Sequence, residues 1–320
     1  MEFLNFLKQL GFALAGASAL WGWIFCRRKH EDVAAKMLPL FFGGLIVGTI
    51  SWLILFWREV GNTLAHEGIS ITPLVDASIR AKFIQAPILL AAIIVALVFI
   101  LRRKPDTTPR SSSATKWFFV VEFFLMSVVI SLLGWVGEIN REQLFLFSHG
   151  FHSIMTLGTV LTVDYLFFIS RRSLSQKQAI YPMFPLMSKV IWLGLGIDFA
   201  SAALIYEQAV KFTSQFYFVQ AVVGILIING VILSGPLTRR LLDNIRRGVA
   251  VLPKKLNLIA GICGSISVTS WLTITFVDQF SDIHLAYGQF VAYYIIAIGI
   301  IFALKILAEK TMRWFHGSRE

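Results

Sequence analysis

The sequence predicts an all-α integral membrane protein, a bundle of about nine transmembrane helices, and three observations lead there. Of the 320 residues, 57% are hydrophobic and only 15% are charged, against roughly 25% charged in an ordinary soluble chain. The apolar residues come in consecutive blocks of about 20, the length that crosses a hydrocarbon core. The basic residues collect in alternate short gaps between the blocks, which is a pattern of membrane topology.

Taken in order, the blocks occupy residues 10–26, 37–57, 83–101, 117–137, 144–169, 183–206, 216–237, 256–277 and 287–304. Each is expected to be helical, because lipid cannot satisfy exposed backbone groups and no barrel-like alternation is visible. The first block opens Met1-Glu2-Phe3-Leu4 without a basic leader and is followed by Arg27-Arg28-Lys29. That order predicts an anchor inserted with its N-terminus outside, not a cleaved signal. Segments 27–36, 102–116, 170–182, 238–255 and 305–320 then fall in the cytoplasm and carry 22 of the 29 Lys and Arg. Lys8, Arg58, Arg80, Lys82, Arg141 and Lys211 fall outside, and Lys189 lies within a span. This bias predicts an odd number of spans, a cytoplasmic C-terminus and residence in a bacterial inner membrane.

The whole chain, 1–320, reads as one transmembrane domain. A polar segment rich in Pro and Ser, 104–116, separates a three-helix part, 1–103, from a six-helix part, 117–310, and a cytoplasmic tail follows at 311–320. Similar marks recur on both sides of this linker. The first helix ends in Arg27-Arg28 and the fifth in Arg171-Arg172. Ser51-Trp52 in the second answers Ile191-Trp192 in the sixth and Ser270-Trp271 in the eighth. The third opens with Gln85-Ala86 and ends in Arg102-Arg103; the seventh opens with Gln220-Ala221 and ends in Arg239-Arg240. The matched pairs run in the same direction, which suggests a parallel internal repeat, although apolar helices with basic inner ends resemble one another in any case.

A net charge of +11 does not here imply nucleic acid, since the basic residues sit in short loops and not on one face. Cys26 and Cys263 stand apart, with neither zinc nor CxxC spacing. There is no Gly-x-Ser-x-Gly, His-Glu-x-x-His, phosphate loop or haem-attachment motif, so no enzymatic activity is predicted.

Ionisable residues inside spans are costly, and they nominate the functional residues. From the helical rise, Glu122, Asp164 and Lys189 all lie about 10 Å from the cytoplasmic side. Two acids and a base at one level predict a buried cluster; the alternative is a snorkelling lysine with carboxylates near the headgroups. Toward the outer side, His149 and His152 share a face of the fifth helix, with Asp198 and Glu138 at similar depth. His149, His152 and Asp198 would hold a divalent metal ion or relay a proton; the bland reading is interfacial histidines bonded to neighbours. Lys189 and Asp198 are nine residues apart, so they would point to opposite sides of a straight helix unless Gly194 and Gly196 let it bend. In the eighth helix Ser265, Ser267, Thr269, Ser270, Thr273 and Thr275 favour close packing, and Asn229 is expected to pair inside the bundle.

One stretch carries a family likeness. Phe147-Ser-His-Gly-Phe-His152-Ser-Ile-Met-Thr-Leu-Gly158 is followed by a helix ending in small residues and by a long apolar helix closing on Arg239-Arg240. This cadence resembles the CopD-type copper-resistance membrane proteins and related uncharacterised bacterial families. The helix after the histidines reads Phe184-Pro185-Leu186-Met187-Ser188-Lys189 where that family has an Arg-Phe-Ser start, and no methionine-rich copper motif is present. The resemblance implies multi-helix transport with copper among the cargoes.

Three functions remain open at this stage. The first is a small transporter or permease for an ion or small solute, driven by protons or carrying a divalent metal. The second is a non-catalytic membrane subunit or assembly factor. The third is a haem-bearing electron-transfer protein, which His149 and His152 on one helix face serve badly, since they cannot take opposite axial positions. The partners implied are the lipid bilayer, a small ion or solute, and another membrane protein or a second copy of the chain.

Overall fold

The computed structural model describes residues 2–67, 77–102, 113–133, 141–170, 173–206, 213–249, 252–279 and 285–317. Among these residues there is no strand, and nine helices are long and apolar enough to cross a membrane. The elements are α1 (Glu2–Arg27), α2 (Glu31–Ala35), α3 (Leu38–Glu67), α4 (Ala77–Arg102), α5 (Ser113–Leu133) and α6 (Arg141–Ser170). They continue with α7 (Leu174–Ile180), α8 (Phe184–Tyr206), α9 (Ser214–Ile232), α10 (Thr238–Arg246), α11 (Lys254–Gln279) and α12 (Tyr287–Gly317). Every predicted apolar block corresponds to one candidate span.

Several helices run beyond their apolar blocks. α3 continues to Glu67 and α12 to Gly317, so most of the predicted tail is helical. A helix need not stop where the hydrocarbon stops, because water accepts its polar continuation. The seventh block runs from α9 through a π turn at Leu233–Leu237, which contains Pro236, into α10. There Thr238 Oγ1 donates to Leu233 O at 2.5 Å and Ser234 Oγ to Gly230 O at 2.7 Å, and these hydroxyls serve carbonyls in the irregular turn. Most of the predicted 104–116 linker, Glu138 and the Arg171-Arg172 pair lie outside the described residues.

The chain forms two compact units, Met1–Tyr165 with Leu186–Val210, and Leu166–Pro185 with Lys211–Glu320. The predicted boundary at 104–116 does not coincide with this division. The helices flanking it belong to one unit and pack together, with Phe99 of α4 stacked on Phe118 of α5 at 4.1 Å between centroids.

α1 is the centre of the first unit. A Cβ on Gly11 would overlap the backbone of Gly48, and one on Gly44 would lie 2.6 Å from Gly11 O and 2.7 Å from Ala15 N. The Gly44-x-x-x-Gly48 stripe of α3 therefore lets two backbones touch, as small residues do in membranes where apolar burial supplies no drive between helices. Gly22 takes the ring of Phe119 from α5, and Gly158 of α6 lies against Ala13 O. Trp21 Nε1 donates to Thr159 Oγ1 at 3.3 Å. Between α3 and α4, Trp52 Nε1 donates to Gln85 Oε1 at 2.7 Å, and Lys82 pairs with Glu59.

The second unit is held by the same means. Asn229 Nδ2 of α9 donates to Cys263 O of α11 at 2.8 Å, the pairing expected for a mid-helix asparagine. Ser270 of α11 meets Tyr294 OH of α12 at 2.8 Å. Phe218, Val222, Val277, Phe290 and Tyr294 form an apolar core.

Candidate functional site

In the first unit α6 and α8 cross where side chains are small. Gly194 of α8 has no room for a Cβ, because Thr156 Oγ1 of α6 occupies that position. One turn in each direction along this antiparallel pair brings Ser153 opposite Asp198, and the next brings His149 opposite Ser201. Ser153 hydrogen-bonds the Asp198 carboxylate. His149 Nδ1 is 3.2 Å from Ser201 Oγ and 3.8 Å from Asp198 Oδ1. The result is a four-residue polar cluster, His149, Ser153, Asp198 and Ser201, on the facing surfaces of two candidate membrane spans.

The hydrogen bonds around Ser201 bear on the tautomer of the histidine. Ser201 Oγ lies 2.8 Å from Ile197 O and 3.1 Å from Asp198 O, so its one proton goes to a backbone carbonyl. With its proton there, Ser201 Oγ accepts from the His149 tautomer that carries a proton on Nδ1. Nδ1–H thus faces both a serine oxygen and, further off, a carboxylate oxygen that has no hydrogen-bond partner of its own. The cluster also has a gradient of access: the His149 side chain is 34% exposed and that of Asp198 only 10%. Both residues stand inside their helices, His149 in the first half of α6 (Arg141–Ser170) and Asp198 in the second half of α8 (Phe184–Tyr206).

This placement joins two of the residues that the sequence nominated. His152 does not complete a metal site with them: among the described residues there is no group of three or more His, Cys, Asp and Glu side chains that would hold a metal ion. The residues that sequence reading missed are Ser153 and Ser201. Their signal was present, since they stand one helical turn from His149 and Asp198 on the same faces.

The predicted inner cluster of Glu122, Asp164 and Lys189 does not assemble. Lys189 is exposed and makes no ion pair among the described residues. The reason is the phase of the helix. α8 runs unbroken from Phe184 to Tyr206, so with Asp198 turned inward Lys189 must turn outward. Asp164 is half-buried on α6. Glu122 is fully buried on α5, and neither carboxylate oxygen has a hydrogen-bond partner. Its neighbours one turn away, Phe119 and Met126, lie against Gly22 and Gly16 of α1, so the carboxylate belongs to the α1–α5 interface. Ser18 of α1, one turn from Gly22, is another fully buried side chain whose oxygen has no partner.

No protein-family model, curated protein or solved structure matches this chain.

Proposed function

We propose that this protein is a small membrane transporter in which His149 and Asp198 pass a proton at one membrane face. The observation that carries this reading is the pair itself: an imidazole and a nearly buried carboxylate held side by side between two transmembrane helices. Imidazole is the side chain suited to gain and lose a proton near neutral pH. Ionisable groups inside a span are expensive, and they mark ion pathways and proton relays. Glu122, buried and without a partner, is a second carrier for such a path. We place the N-terminus outside, the C-terminus in the cytoplasm and the protein in a bacterial inner membrane, on the strength of the basic-residue bias.

Purified protein in vesicles tests the reading. Flux of protons, divalent metals including copper, or small solutes should exceed that of empty vesicles when a pH or cargo gradient is applied. Copper belongs in the panel because of the resemblance to the CopD-type proteins. Vesicles no leakier than protein-free controls for every cargo would defeat the proposal. A second reading, a membrane subunit that serves a larger complex, draws on α12, of which only 11% of the membrane window is buried within the chain. Copurification of one stoichiometric membrane partner, with no flux by the chain alone, would favour it.

A further inference from the structure

A separate feature of the second unit has the chemistry of an anion site. α10 is amphipathic: Leu241 and Ile245 are buried, while Arg239, Arg240, Arg246 and Arg247 around them are exposed. The helix ends in a turn that needs glycine. Gly248 has φ +73°, its N–H donates to Ile245 O at 2.9 Å, and Val249 N–H donates to Asn244 O at 3.0 Å. This pair of bonds, with a left-handed glycine between helix and exit, reverses the chain and sends it toward α11. Between α10 and the start of α11 lies a cavity of about 320 Å³, lined by Arg240, Asp243, Arg247 and Lys255 among others. Three cations and one carboxylate leave it positive. The first turn of α11, a helix of 26 residues, forms part of the wall through Lys255 and Leu256.

The location narrows the ligand. The cavity lies in the polar stretch between two candidate spans, where the apolar run before Arg239 has ended and the next has not begun at Lys254. Anionic headgroups are concentrated at that level, and each nearby Lys or Arg attracts them by about 1 kcal/mol. The topological bias of basic residues requires only that charge be present in this loop, not that it converge. Arg239, Arg246 and Lys254 satisfy the bias without lining the cavity.

We propose that this cavity binds the phosphate of an anionic lipid headgroup, held by Arg240, Arg247 and Lys255 at the N-terminus of α11. Guanidinium groups offer planar, paired donors to phosphate oxygens, and the lysine adds a point charge.

The test compares two triple variants with the same net charge: Arg240→Gln/Arg247→Gln/Lys255→Gln inside the cavity, and Arg239→Gln/Arg246→Gln/Lys254→Gln outside it. Each is purified in neutral detergent and titrated with phosphatidylglycerol, phosphatidylcholine or inorganic phosphate. Lipid retention is read by native mass spectrometry. The wild type should retain phosphatidylglycerol in preference to phosphatidylcholine. The cavity variant should lose at least about tenfold in affinity, the loss for one or two cations removed, and the outside variant much less. Equal losses in both variants would mean diffuse surface charge and would overturn the site. Wild-type protein that takes inorganic phosphate as well as the lipid would overturn the assignment to a headgroup. Should the cavity triple fail to fold, Arg247→Lys keeps the charge and removes the paired donors. It should then weaken lipid retention severalfold, and unchanged retention would count against the proposal.

Discussion

The first and the last of the nine candidate membrane spans, α1 and α12, are built on opposite plans. α1 is the least apolar of the nine candidate spans and the most buried, with 67% of its membrane window inside the protein. α12 is among the most apolar and has only 11% inside. Along α1 the buried residues are glycine, alanine, serine and a few aromatics; along α12 the exposed ones include Ile295, Ile296, Ile300, Leu304 and Leu307. In a water-soluble protein the apolar helix would be the buried one. In a membrane the solvent is itself apolar, so any polar or small residue that must meet another helix is drawn inward. The same relation holds elsewhere: Lys82–Leu101, the most apolar span, is 22% buried, while the more polar His149–Ser170 is 61% buried.

The contrast can be broken most severely at the glycines. Gly44→Leu or Gly158→Leu would drive a side chain into the backbone of α1, and each should cost about 3 kcal/mol or prevent folding. Gly299→Leu in α12 meets nothing within 4 Å and should leave thermal stability in detergent unchanged. Equal effects at Gly158 and Gly299 would contradict the placement of α1 at the centre of its unit.

A change in the other direction is expected at Glu122. Replacing a buried carboxylate that has no partner by an apolar residue of similar length removes a desolvation cost. Glu122→Met should therefore raise stability by about 1–3 kcal/mol, measured by thermal unfolding. A fall would mean that the carboxylate is satisfied.

Smaller effects sharpen the picture. The Trp21–Thr159 bond ties α1 to α6, and hydrogen bonds between transmembrane helices average about 0.6 kcal/mol. A double-mutant cycle of Trp21→Phe and Thr159→Val should show coupling of about that size, and strict additivity would remove the bond from the account. Least of all, Lys189→Met should change stability by less than about 0.5 kcal/mol, as for a surface residue without a partner.

Much of this architecture is written in the sequence, because a span must be a helix and must be apolar for about 20 residues. Counting residues from helix ends put Asp198 level with the histidines of α6, and the structure brings it beside one of them, His149. What could not be read was which residues at one depth meet. Lys189, Glu122 and Asp164 count to a similar level along their helices, yet Lys189 is exposed, turned away by the phase of α8. That phase was itself legible in the nine residues from Lys189 to Asp198, and it decided against the cluster. The choice of His149 over His152 as partner of Asp198 depended on the close approach of Gly194 to Thr156, a tertiary contact without a local signal.

We propose above that protons cross one membrane face through His149 and Asp198. Proton uptake into vesicles containing a pH-sensitive dye, driven by an imposed gradient, tests it most directly with three proteins: wild type, Asp198→Asn and Lys189→Met. The account predicts flux above empty vesicles for the wild type and for Lys189→Met. For Asp198→Asn the rate should fall by about a hundredfold or more, the least expected when a relay loses its acid–base group. Asp198→Asn protein that conducts protons as fast as the wild type would contradict it.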